Sequence, residues 1–141
     1  MAGAALLLAA GIWGAVRLSE GEDGISGATN GDRIAFINYC GWETEATHCE
    51  LTEVRIPTNF DEVYEEYNNI QILQGFDLRP YRSHSVKKYT YNITNFHSVG
   101  AAASAPEMYA NLLVENGKII GADISSAEAG GLVTVLYHAE E

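Results

Sequence analysis

Two residues, Asn116-Gly117, separate the apolar runs Met108–Glu115 and Lys118–Ile124. A two-residue connection between apolar segments needs positive φ at both turn positions, which Asn and Gly adopt at little cost. The pair therefore predicts a tight antiparallel hairpin. Ser85–Phe96, rich in Tyr, Val, Ile and Thr, predicts another strand with Tyr89, Tyr91 and Ile93 on one face. Adjacent Lys87 and Lys88 break its alternation and mark a bulge. Glu43–Ile56 alternates unevenly and reads as one strand or two short ones, closed by Pro57. Gly130-Gly131 precedes LVTVLY, a candidate last strand.

Two segments carry helix signals. Thr29 or Asn30 caps a short helix over Asp32–Tyr39, with Asp32 favourable to the N-terminal dipole and Gly41 at the position after the C-cap. Ile34, Ile37 and Phe36 supply its buried face, and Trp42 folds back on it. Thr58 or Asn59 caps a longer helix over Asn59–Gln74, in which Val63, Tyr67, Ile70 and Gln74 recur at i, i+4, i+7 and i+11 as the packed face. Gly75 ends it, and Phe76 supplies the apolar contact of such a cap. The order α-β-α-β-β-β predicts an α+β fold, an antiparallel sheet with the helices packed on one face.

The chain divides into three parts. Ala2–Val16 contains no charge, and as a helix it measures about 22 Å, or about 27 Å with Met1, Leu18 and a snorkelling Arg17, against ~30 Å of hydrocarbon. Residues 1–18 therefore read as a membrane anchor or an uncleaved or truncated signal segment. A signal would open on basic residues, and here Met1 is followed by Ala-Gly-Ala. A buried helix of the domain is the alternative, but such a helix would carry a polar stripe that this run lacks. Residues 19–29, with three acids, three glycines and two serines, read as a flexible tether. Residues 30–141 form a single domain of ordinary size.

Eight Lys+Arg against nineteen Asp+Glu give a formal charge of −11, which argues against a nucleic-acid binder because phosphate contact needs a basic face. The acids are unevenly placed. Residues 43–66 hold eight acids and one Arg, net −7, whereas residues 79–106 hold Arg79, Arg82, Lys87 and Lys88 and no acid, net +4. Neighbouring elements would offset one another; a basic strip facing anionic cell wall or lipid is the functional alternative.

No spacing points to a metal or cofactor. Cys40, His48 and Cys49 lack the second ligand pair of a zinc site. The two cysteines either close a ten-residue segment as a disulfide, stabilising by about 2–3 kcal/mol, or stand as half-buried thiols. His84, His97 and His138 have no triad-like spacing and read as surface or hydrogen-bonded histidines. Asp77, Tyr81 and Asp123 are the candidate binding residues. Asp77 follows a helix cap, where a turn hydrogen bond is its ordinary role. Asp123 leaves a hairpin strand after Gly121, where pairing with a base is the plain reading. Paired-carboxylate hydrolysis would need the two within about 5–10 Å. Asn92-Ile-Thr94 matches a glycosylation sequon but alternates through a strand as its solvent face.

Gly41-Trp42-Glu43, Val54-Arg-Ile-Pro57, Phe60-Asp-Glu-Val-Tyr64, Tyr67-Asn68, Gln74-Gly-Phe-Asp-Leu78, Val86-Lys-Lys-Tyr-Thr-Tyr91, Asn111-Leu-Leu-Val114 and Ile120-Gly-Ala-Asp-Ile-Ser125 together resemble domain-of-unknown-function family 4830. This is a family of membrane-anchored or secreted proteins of clostridia and related Firmicutes. The resemblance covers about Asp32–Ser125, with the Gln-Gly-Phe-Asp-Leu block its most distinctive part. The chain has Ala122 where the family has a second Gly, and its tail from Ala127 departs from the pattern. The resemblance implies an extracytoplasmic location and brings no activity. The expectation is a membrane-tethered domain on the extracytoplasmic side, secreted if the N-terminus is cleaved, acting as a non-enzymatic binding or interaction module. Its partner is an envelope protein or cell-wall ligand, with no cofactor. The rival is a small cell-envelope hydrolase using Asp77, Asp123 or a histidine.

Overall fold

A computed structural model describes residues 24–45, 49–96, 107–127 and 133–137. In chain order they form β1 (Ile25–Ser26), α1 (Asn30–Tyr39), β2 (Glu50–Arg55), α2 (Glu62–Leu73), a 3-10 turn (Arg79–Tyr81), β3 (Ser85–Asn92), β4 (Met108–Glu115), β5 (Lys118–Ser126) and β6 (Val133–Thr134). The expected anchor at residues 1–18, together with His48, His97 and His138, lies outside the described residues. Among those described, no helix is long and apolar enough to cross a membrane.

The α+β class holds, with a wholly antiparallel sheet in the order β1-β5-β4-β3-β2 and β6 also on β5. The hairpin turn is as the sequence requires, with φ of 52° at Asn116 and 75° at Gly117. The order gains two short strands over α-β-α-β-β-β: β6, which falls within the candidate last strand after Gly130-Gly131, and β1, which was not expected. β1 arises inside the segment expected as tether: Ile25 pairs with Ile119, Ser26 with Lys118, and Gly27 N–H donates to Gly117 O at 2.8 Å. A Cβ at Gly27 would come within 2.6 Å of Ile119, so only glycine lets the chain lie this close to β5. The expected bulge at Lys87/Lys88 is absent, and β3 pairs without a break on both sides. The irregularity falls instead between Leu113 and Val114, opposite Ile119–Gly121.

The helices do not share a face. Phe36 and Ile37 of α1 join Tyr91, Ala110, Leu112, Val114, Ile119, Ala122 and Ile124 in one buried cluster. Tyr64 and Tyr67 of α2 pack against a second, made of Ile56, Leu78, Val86, Leu113 and Ile120. Consecutive residues Leu112 and Leu113 thus belong to opposite sides of the sheet. The reason lies in the strands: the apolar doublets Leu112-Leu113 and Ile119-Ile120 make both faces hydrophobic, and each face needs a cover.

Thr29 caps α1 through Oγ1, which accepts from Asp32 N–H at 3.0 Å; Asp61, not Thr58 or Asn59, caps α2 by accepting from Tyr64 N–H at 2.8 Å. The packed face of α2 overlaps the expected stripe in part: Tyr67 and Gln74 pack inward as expected, but Val63 is 76% exposed, and Asn68 and Gln71 are buried instead. The burial of Gln71 and Gln74 has a cause in the sheet. β1 and β6 cover only the two ends of β5's outer edge, and Ala122 lies between them. Gln71 Oε1 accepts from Ala122 N–H, and Gln74 Nε2 donates to Ala122 O, both at 2.8 Å. The two amide side chains stand in for the missing strand.

Candidate functional site

Only part of the α2 side of the sheet is covered by α2 and the 3-10 turn. The remainder is an open depression of about 680 Å³, lined by Glu45, Glu50, Lys88, Thr90, Asn92, Glu107, Tyr109, Asn111 and Ser125. Strand periodicity places them together. Lys88, Thr90 and Asn92 alternate with Tyr89 and Tyr91 on β3, and Tyr109 and Asn111 alternate with Met108, Ala110 and Leu112 on β4. Register then sets Thr90 beside Asn111, Asn92 beside Tyr109, and Tyr109 beside Ser125. One parity on three adjacent strands goes to the core under α1; the other forms a polar floor.

That floor is held by one chain of hydrogen bonds. Thr90 Oγ1 donates to Asn111 Oδ1 at 2.8 Å. Asn111 Nδ2 donates to Asp123 Oδ1 at 2.8 Å and to Ser125 Oγ at 2.9 Å. Tyr67 on α2 donates to Asp123 Oδ2 at 2.7 Å. Asp123, 4% exposed, is therefore a buried carboxylate with both oxygens occupied. Burial raises its pKa, while the hydrogen bonds from Tyr67 and Asn111 and the charge of Lys88 pull it back. Burial, reinforced by the adjacent Asp123, pushes the Tyr67 phenol well above its ordinary range.

The sequence candidates fall in different places. Asp123 stands behind the floor and organises it. Asp77 lies in the turn after α2, where its Oδ1 accepts from Asn68 Nδ2 and from Arg79 N–H, each at 3.0 Å, and its Oδ2 pairs with Arg79 Nη2 at 2.6 Å. The Arg79 guanidinium holds its carboxyl well below the usual range. Asp77 shares no hydrogen-bond partner with Asp123 and does not line the depression. Tyr81 is half-buried against the second cluster, edge-on to His84 at 5.8 Å. His84 Nδ1 and Glu115 Oε2 stand 2.8 Å apart.

Cys40 and Cys49 are both free thiols packed against the first cluster, and burial pushes the Cys40 thiol up. Among the described residues, no group of three His, Cys, Asp or Glu side chains is placed to hold a metal ion. The acidic stretch and the basic strand are neighbours, with Glu53 of β2 directly opposite Lys87 of β3.

Sequence reasoning missed Lys88, Thr90, Asn111 and Ser125. The signal that carries them is the shared parity of polar residues on three strands, legible only once register is known.

The family model described as Domain of unknown function (DUF4830) matches residues 36–124, over half of the chain, from the last turn of α1 through β5 up to Ile124. No curated protein and no solved structure matches the chain.

Proposed function

The chain belongs to the family Domain of unknown function (DUF4830), and we propose that this member is a non-enzymatic binding module whose ligand site is the polar depression on the sheet. One observation carries the reading: the Thr90–Asn111–Asp123–Tyr67 chain locks the floor before any ligand arrives. A floor fixed in this way loses little rotamer freedom on binding, which is what preorganisation contributes to affinity. The hydroxyls of Thr90, Ser125 and Tyr109, the Asn92 amide and the charged rim together suit a ligand recognised by hydrogen bonds, such as a polar envelope component or a peptide. The uncharged run Ala2–Val16 supports a place on the extracytoplasmic side of a membrane.

Asp123 also gives the hydrolase alternative its best candidate, as a buried carboxylate of raised pKa. Its two oxygens are committed to Asn111 and Tyr67, which favours a holding role over attack or proton transfer.

The test is a titration of isotope-labelled protein with soluble cell-wall fragments, oligosaccharides and short peptides of either charge. Binding should move the amide signals of Thr90, Asn92, Asn111 and Ser125 and be lost in Thr90→Val/Ser125→Ala. Turnover of any probe that disappears in Asp123→Asn would transfer the assignment to the hydrolase.

A further inference from the structure

We propose that the free edge of β2 takes up an extended basic segment of a partner protein as an added strand. The inference rests on the binding-module reading and names its partner. β2 is the last strand of the sheet and pairs only with β3 among the described residues, over six residue pairs without a bulge. Sheet edges are ordinarily blunted by proline, a bulge or charged side chains, lysine above all. Glu50–Arg55 contains neither proline nor lysine; its charges are Glu50, Glu53 and Arg55, a net acidic set that repels an acidic strand and admits a basic one, and its Leu51 is 52% exposed.

The main chain faces the right way. Ile56 N–H donates to His84 O at 2.9 Å, and antiparallel ladders alternate. Val54, Thr52 and Glu50 therefore bond inward to β3, while Leu51, Glu53 and Arg55 direct N–H and C=O outward. An incoming strand would find its backbone partners there.

Side chains then define the partner. Glu50 lies on the polar side of the sheet and, with Glu45, forms the wall of the depression nearest this edge. Leu51 lies on the opposite side. A segment added to β2 sets alternate residues against Glu50 on the side of the depression and against Leu51, flanked by Glu53 and Arg55, on the other, so basic side chains on the first side and apolar ones beside Leu51 are complementary. The chain's charge of −11 steers such a segment inward.

The experiment measures anisotropy of a labelled alternating Lys-Val octapeptide with the full chain. Two companions are an alternating Glu-Val octapeptide and a Lys-Val octapeptide N-methylated at alternate amides. The Lys-Val peptide should bind, and each companion should bind about tenfold more weakly or worse. Glu53→Pro, which removes an outward donor and leaves the β3 ladder intact, should lose about tenfold. Glu50→Lys, a surface change that keeps the strand, should lose a similar factor and covers the case in which the proline variant does not fold.

Equal binding of methylated and unmethylated peptides would overturn the added strand, and equal binding of acidic and basic peptides would overturn the basic partner. Self-association abolished by Glu53→Pro would give the edge to a second copy instead. Peptide-induced shifts at Thr90 and Asn111 that ignore Glu53→Pro and N-methylation would sink the edge proposal and leave the groove reading standing. Edge-dependent binding with no shift in the groove would do the reverse.

Discussion

The Tyr67 hydroxyl donates to Asp123 Oδ2 at 2.7 Å, and this bond fastens α2 to the floor of the polar depression. Asp123 passes the constraint on through Asn111, which in turn fixes the hydroxyls of Thr90 and Ser125. A helix on one side of the joint and a ligand surface on the other are thus mechanically coupled through one carboxylate.

Tyr67→Phe keeps the ring and its packing on Tyr64 but leaves a buried carboxylate oxygen without its donor. The expected cost is about 1–3 kcal/mol, because the desolvation of an unpaired buried acceptor is no longer offset. Urea denaturation measures it. A change under about 0.5 kcal/mol would mean that water replaces the hydroxyl and that Asp123 is not the joint described above.

Asp123 and Asp77 should pull stability in opposite directions with pH. The folded-state pKa of Asp123 is raised by burial above its ordinary 3.8, so the native state holds this proton more tightly than the unfolded chain. Its contribution therefore improves as pH falls through the raised value, and Asp123→Asn should compare best with the parent at neutral pH and less well on acidification. Asp77 is depressed, chiefly by its hydrogen bonds from Arg79. Its contribution is present above the ordinary carboxylate value and is lost as pH falls through the lowered one. Asp77→Asn should flatten that acid limb, with a small, salt-sensitive amplitude because the pair is exposed. Unfolding free energies across the acid range decide both, and parallel profiles for parent and variants would contradict the assignments.

The parts of the fold legible in sequence are those set by local backbone chemistry. Asn116-Gly117 dictated its turn because few residue pairs accept φ of 52° and 75°. Thr29 and Gly41 bounded α1, and Gly75 ended α2 at φ 93°, by the same kind of constraint. Tyr89, Tyr91 and Ile93 share a side as period two requires. The buried face of α2 was legible only in part. Apolar periodicity rightly includes Tyr67 and Gln74, but it also selects Val63, which is 76% exposed, and it passes over Gln71, buried because β5 leaves Ala122's backbone groups unpaired between β1 and β6. That demand comes from the sheet and leaves no mark in the helix's own sequence. The depression was hidden for a related reason. Lys88, Asn111 and Ser125 are far apart in the chain and meet only through register. Phe76 closes the cap through its N–H, which donates to Gln71 O at 2.9 Å, while its ring lies edge-on to Phe36 of α1 at 6.4 Å.

Gln74 and Val63 supply a contrasting pair. Gln74 Oε1 accepts from Leu136 N–H and Tyr137 N–H at 2.9 Å, while its Nε2 donates to Ala122 O. Gln74→Ala should cost about 1–3 kcal/mol and speed hydrogen exchange at Leu136 and Tyr137, since buried donors lose their acceptor. Val63→Ser, at a site 76% exposed, should stay within about 0.5 kcal/mol. The reverse ranking would put Val63 in the packed face and take Gln74 out of it.

The N-terminal limit of the domain is open to the same kind of test. Sequence reading starts it at residue 30, but the folded unit uses residues before that point. Arg33, 8% exposed, stacks over Tyr89 with its guanidinium carbon 3.6 Å from the ring centre. Its Nε donates to Tyr91 Oη at 2.9 Å, and its Nη1 donates to Gly27 O at 2.8 Å. A chain beginning at Asn30 loses that acceptor, the Thr29 cap and the pairing of Ile25 with Ile119. A chain beginning at Gly24 keeps all three. The shorter chain should be less stable by about 2–4 kcal/mol, about 1 of it from the cap and the rest from a buried guanidinium left short of an acceptor. Gly27→Val in the longer chain should destabilise comparably by forcing a Cβ to within 2.6 Å of Ile119. Urea midpoints of the three proteins are the measurement. If the chain starting at Asn30 unfolds at the same midpoint as the one starting at Gly24, β1 is an ornament on the sheet and the domain does begin after it.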